Sequence, residues 1–365
     1  MQSGTFPVIY ELHNSGSPDA LRLGPILERA RRASDLTFNA DIRPNREQQK
    51  MFNLQLQVHV VSVLSKYCTA FEYCKKTPKL QHIPRRKMPA GRITKVYPLR
   101  ATTIDESTIA AQPKVLQNAY VEQLHMEHKN LEDQGVPSYN DQYTNAKFRA
   151  AQAVRSDDVN NFTRLRVWQL GFGLFHLCLN LIWALLHVHR GSITQLGSLS
   201  HLFATMDKTR LGAQHPDYHT LLAALTQILH GIILNAWRRD CGFPSLAAFA
   251  ASKPTAEQLL AKAQEILLEH AVPMQDSNAE ENLDENSSLK DSSADVTRQN
   301  LLLLTHDLLY VVELVRAISD GDWGRIEDIL GNLAMMFRGA GSNNYCAEIL
   351  HFVHNLRKVW TPEFS

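Results

Sequence analysis

Few residues in this chain are suited to chemistry, and the strongest candidate is Asp141. It sits in Asn140-Asp141-Gln142, closing a short extended stretch from Val136 to Gln142. A carboxylate at a strand end, beside amides, suits Mg²⁺. The competing role is structural, with Asp141 capping the next helix or holding a turn, and spacing alone favours it. His176 and Asn180 lie four apart on one face of an apolar helix, in FGLFHLCLNL. They either point into a site or belong to a hydrogen-bonded polar core, and the second outcome is the commoner. His187 and His189 fall on different helix faces with no third ligand at a suitable spacing, which argues against zinc. Glu348 sits on a late helix, where a solvated carboxylate is the default. Arg338 to Ser342 (RGAGS) lacks the Lys-Ser/Thr ending of a P-loop, so a tight turn with Ser342 as helix cap is expected. No Ser-His-Asp, Cys-His or HExxH pattern is present, and no cofactor is evident.

The other functional signal is electrostatic. Lys75 to Arg100 holds nine Lys or Arg and no acid, and its four prolines exclude a continuous helix. Arg85, Arg86, Lys87, Arg92 and Lys95 are candidate phosphate contacts, so DNA is a candidate partner. Arg85-Arg86-Lys87 also has the form of a nuclear import signal. Tyr97 is the segment's main aromatic, so base stacking is not indicated. A solvated loop, or one neutralised by the chain's own acids, fits equally well.

The elements that must position these residues are mostly helices. The chain has 365 residues, 44% of them hydrophobic, and a net charge of +1, enough for one large or two ordinary domains. Five cysteines without CxxC spacing point to reduced thiols and an intracellular location, cytoplasmic or nuclear. The N-terminus lacks the basic start and apolar run of a signal peptide. Thr5 to Leu12 is expected to be extended, and a helix is expected from Ser17-Pro18-Asp19 to about Arg32. Apolar stripes place a long helix after Pro44, running to about Lys76. Further helices are expected near Pro113–Glu132, Thr144–Val154, Phe172–Val188, Asp217–Arg239, Thr255–His270, Val296–Ile318, Trp323–Met336 and Ser342–Lys358. Leu170 to Val188 is barely long enough to span a membrane and carries polar residues, so it is expected to be a core helix, with Phe175, Leu179 and Ile182 enclosed. A few short strands, one within Arg92 to Tyr97, complete a mainly α (α+β) chain. Residues 273–295 hold seven acids and one Lys, a composition expected to form a disordered acidic loop. It would join an N-terminal part, 1–272, to a C-terminal helical part, 296–365, packed on the first as one composite domain.

Four runs carry a resemblance: PSYNDQYTNAKFRAAQ, QLGFGLFHLCLNLIWALLHVHRGS, PDYHTLLAALTQILHGIILNAWR and DGDWGRIEDILGNLAMMFRGAGSNNYCAEILHFVHNLRKVWTPEF. They are similar to the fungal family called domain of unknown function 6589, across nearly the whole chain. The resemblance implies a transposon-derived protein with a ribonuclease-H-like core interrupted by a large helical insertion. On that plan Asp141 is the second metal carboxylate and Glu348 the late helical one, and Mg²⁺ is the implied ion. The resemblance also implies an interior piece of a longer protein, lacking the strand that carries the first carboxylate. The core would then be degenerate, and the domain nucleic-acid-associated but catalytically inactive. A helical scaffold without chemistry is the alternative, and a metal-dependent nuclease the third reading.

Overall fold

A computed structural model describes residues 4–11, 18–272 and 292–365, and it is mainly helical with four short strands among those residues. The expected extended stretch near the N-terminus forms β1 (Val8–Tyr10), which pairs antiparallel with β2 (Val96–Pro98). The second sheet is a parallel pair, β3 (Val136–Asn140) and β4 (Trp168–Phe172), with Asn140 opposite Phe172. Parallel neighbours need a crossover, and helix α3 (Gln142–Val154) lies within it.

Helix α1 spans Leu23–Arg32 after a short 3₁₀ turn at Pro18–Leu21, while Ser17, the expected cap, lies outside the described residues. Helix α2 (Arg46–Tyr67) begins at a capping box in which Asn45 and Gln48 satisfy each other's backbone N–H groups. It ends nine residues before the expected Lys76, and a 3₁₀ stretch, Thr69–Lys76, follows. The helix expected over 113–132 is broken into Gln112–Leu116, a π turn and His128–Leu131. Then come α3 (Gln142–Val154), α4 (Leu174–His189), α5 (Tyr218–Asp240) and α6 (Ala256–His270). The last three are α7 (Ser292–Ser319), α8 (Trp323–Gly339) and α9 (Asn343–His354). Of the expected acidic loop, 273–291 lies outside the described residues, and Ser292 to Asp295 open α7.

Two packed layers result. The larger core is built from α2, α4, α5, α6, α7, α8 and α9, so helices from both sides of the acidic stretch share it. The smaller core lies around the parallel strands, where Leu23, Leu131, Phe148, Val167 and Trp168 pack together. Helix α9 crosses between the layers, packing on α8 and on β4. Gly331 on α8 marks a close approach: a Cβ there would lie 1.9 Å from the Ile42 carbonyl oxygen.

Three expectations need correction. The apolar run at 170–188 is not one helix: Trp168–Phe172 is a strand, buried along its length, and α4 starts at Leu174. A short apolar run reads alike as buried strand or buried helix. Within α4, Ile182 is enclosed as expected, but Phe175 is 55% exposed and Leu179 only half-buried. Helix α4 is apolar nearly all round, so its pattern does not choose the buried face; the neighbours α5 and α7 select Leu177, Leu181 and Leu185. Ser342 stands at the start of α9 but its side chain makes no capping bond; Gly341, at φ 73°, makes the turn. Helix α5 is long and apolar enough to cross a membrane by length and composition. Its Leu221, Leu225 and Trp237 are nonetheless buried against other helices, and the Trp237 indole donates to the Val60 carbonyl at 3.0 Å.

Candidate functional site

The C-terminal ends of β3 and β4 gather Asp141, Glu348, His176 and Asn180, and ligand sites of parallel sheets favour such ends. Asp141 follows β3 directly and caps α3, accepting from the Thr144 N–H at 2.6 Å. One turn on, fully buried Asn145 ties three elements together. Its amide donates to the Gly171 carbonyl of β4 at 2.8 Å and to Glu348 Oε1 of α9 at 2.7 Å. Its Oδ1 accepts from Asn140 of β3 at 3.0 Å. A further turn along α3, Arg149 grips Glu348 in a two-pronged ion pair, 2.6 Å to Oε2 and 3.1 Å to Oε1. Glu348 is therefore not a solvated helical carboxylate: it is 3% exposed, with both oxygens occupied. Such a fork is among the stronger charge-assisted contacts.

The other helical candidates face the same place. Asn180 on α4 donates to the Tyr345 hydroxyl of α9 at 2.8 Å and to the His176 carbonyl at 2.9 Å. Tyr345 lies close enough to Asp141 and Glu348 to feel both; burial first, then those charges, pushes its phenol up to about 12. Glu106, which sequence reasoning missed, faces Asp141, and burial and then that neighbour raise its carboxyl above the usual range. Glu106 lies outside any element that periodicity picks out, and Asn145 and Arg149 read as ordinary helix residues. Only the fold shows that they meet.

As a metal centre this cluster is weak. Asp141 spends an oxygen on its helix and Glu348 is neutralised by Arg149. Among the described residues, the groups of ligand atoms close enough to share an ion are His59, His82 and Glu313, and Asp240, Glu269 and His270. The first trio lies in the large core, around Arg325. That guanidinium donates to both Glu313 oxygens at 2.8 and 2.7 Å and approaches His82 Nδ1 at 3.3 Å. A divalent ion there would sit beside a fixed positive charge, so the trio suits a structural ion-pair network better than a metal.

This network makes the fold acid-sensitive. Burial, then His59 and Arg325, lowers the His82 imidazole to about 3. The folded state keeps His82 neutral where the unfolded chain, with an ordinary value near 6.5, takes up a proton. The His82 contribution is therefore complete above pH 6.5 and falls by about 1.4 kcal/mol per pH unit on the way down to pH 3. His82→Asn, which keeps a donor for Gln55, is expected to flatten this fall by close to one proton when urea midpoints are compared across that range.

The basic segment is held against the chain's own acids. The Asp322 carboxylate, at the corner between α7 and α8, accepts from the backbone N–H groups of Arg85 and Arg86 at 2.9 and 2.8 Å. The Arg85 side chain pairs with Asp328 at 2.8 Å, and Arg86 with Glu327 at 3.0 Å. Lys87 lies 4.0 Å from Asp320, and Lys95 and Arg92 lie 3.0 and 3.9 Å from Glu11. All five candidate phosphate contacts thus carry an internal counter-charge.

The comparisons with known proteins bear on the family alone. No curated protein and no solved structure matches the chain. One family model does, over residues 31–365, and its description is a family of unknown function. With almost the entire sequence matched, the chain belongs to the family of unknown function DUF6589.

Proposed function

We propose that this chain is a transposase-related, nucleic-acid-associated domain, intracellular and catalytically silent as it stands. The observation that carries the reading is the junction of β3, β4 and α9. A carboxylate follows one parallel strand, a second sits on a late helix packed against the other, and Asn145 links the two elements. This pairing of a strand-end carboxylate with a late helical one supports reading the junction as a remnant of a ribonuclease-H-type core. Its chemistry is disabled by Arg149, whose guanidinium takes the place where Glu348 would need a cation. Among the described residues at this junction, Mg²⁺ finds no complete set of free carboxylates.

The test combines binding and cleavage. The full chain is expected to retain DNA at low salt and to leave it intact with Mg²⁺ or Mn²⁺. Metal-dependent cleavage abolished by Asp141→Ala would overturn the silent reading and favour a nuclease. A helical scaffold is the second reading, and the internal pairing of Arg85, Arg86, Lys87, Arg92 and Lys95 favours it. Absence of DNA binding at low salt would select it.

A further inference from the structure

We infer that the nucleic acid is gripped by a groove beside α1 rather than by the basic segment 75–100: Arg31, Arg166 and Arg357 form a phosphate-binding surface where α1 meets the C-terminal turn. The inference rests on the nucleic-acid reading above and names its contact face. Two clefts flank the seam between α1 and the turn Asn355–Val359, which Arg29 closes by donating to the Val359 carbonyl at 3.2 Å. The first cleft, about 540 Å³, is lined by Arg31, Arg149, Arg166 and His351, with no Asp or Glu among its lining residues. The second, about 510 Å³, is lined by Arg29, Arg32, Arg357 and Lys358, with Glu28 as its one acid.

Charge bookkeeping separates this face from the basic segment. Glu28 is taken by Arg32, Glu348 by Arg149 and Asp41 by Lys358. Among the described residues, Arg31, Arg166 and Arg357 have no ion-pair partner, so each brings a whole positive charge to the surface. Cations without partners, converging from α1, the approach to β4 and the C-terminal turn, are what a phosphodiester backbone needs.

The wall of the first cleft also carries an unsatisfied polar group. Trp168 lines the first cleft and is 2% exposed. Its indole N–H is the one buried side-chain polar atom among the described residues without a hydrogen-bond partner. Buried indole N–H groups are ordinarily paired, so the wall of this cleft holds an unmet donor, and a phosphate oxygen reaches it only if that wall opens on binding. Basic residues also line a third cleft, Arg43, Arg46 and Lys50, but no unsatisfied buried group lies there.

The experiment measures binding of fluorescein-labelled DNA, single-stranded and duplex, over a salt series. It compares the natural chain with three triple variants: Arg31→Gln/Arg166→Gln/Arg357→Gln, Arg43→Gln/Arg46→Gln/Lys50→Gln and Arg85→Gln/Arg86→Gln/Lys87→Gln. The groove variant is expected to bind more weakly and to lose about 3 from the magnitude of its log–log salt slope, about one per phosphate contact. The other two are expected to keep the natural slope. Circular dichroism melts report folding, and the groove arginines are exposed or half-buried, so their loss should leave the melt unchanged. A natural slope in the groove variant, with loss in either other variant, would overturn the groove while leaving the nucleic-acid reading standing. No binding by the natural chain would overturn both.

Discussion

Arg325→Met is expected to cost about 3–5 kcal/mol of folding stability. Arg325 and its main partner Glu313 are among the least accessible charges in the structure, with side chains 2% and 1% exposed. Burial alone would raise the Glu313 carboxyl, but hydrogen bonds from His59 and Arg325 win and hold it below its usual value. Methionine preserves much of the volume and removes the charge, so Glu313 is left in the core with His59 as its remaining partner at 2.8 Å. The loss is larger than the worth of the pair, because an orphaned buried carboxylate carries its own desolvation cost. The double variant Glu313→Leu/Arg325→Met should recover most of the stability, since no buried charge then lacks a partner. Urea unfolding of the two variants decides the matter. A single-variant loss below about 1 kcal/mol, in the range of surface pairs, would contradict the buried network.

Leu181→Ala is expected to cost about 2–5 kcal/mol, and Leu179→Ala, two residues away, only about 1 kcal/mol. Leu181 is 1% exposed on the side of α4 that meets the central helices, whereas Leu179 is half-buried. Truncation at Leu181 removes buried methyl groups and leaves a cavity that surrounding helices fill incompletely. Equal losses at the two positions, measured by denaturant unfolding, would show that the buried face of α4 has been misassigned.

That contrast shows where the sequence was legible. An apolar stripe locates a helix but not always its end: α5 is expected from Asp217 to Arg239 and found at Tyr218–Asp240, whereas α2 stops at Tyr67, nine residues short of Lys76. Asp141 as a helix cap could also be read, because capping is a local contact between neighbours in sequence. Helix α4 and strand β4 could not be separated, because the run that holds them is apolar almost throughout. Local pattern also says nothing of distant partners. Arg149 and Glu348 are 199 positions apart, and Arg85 and Asp328 are 243 apart. The charge run at 75–100 looked available because its counter-charges are distant in the chain: those of Arg85, Arg86 and Lys87 lie at the corner before α8 and on its first turns, and that of Arg92 and Lys95 is Glu11. The converse holds for Arg31, Arg166 and Arg357: scattered in sequence, they form no run, and the fold brings them to one pair of clefts.

The central claim, that this domain associates with nucleic acid through phosphate contacts, is tested most directly by the salt dependence of DNA binding by the full chain. The account predicts a straight fall of log affinity with log salt, with a slope of about −0.9 per phosphate contacted on duplex and about −0.7 on single strands. Binding that does not change with salt, or no binding at the lowest salt, would contradict it.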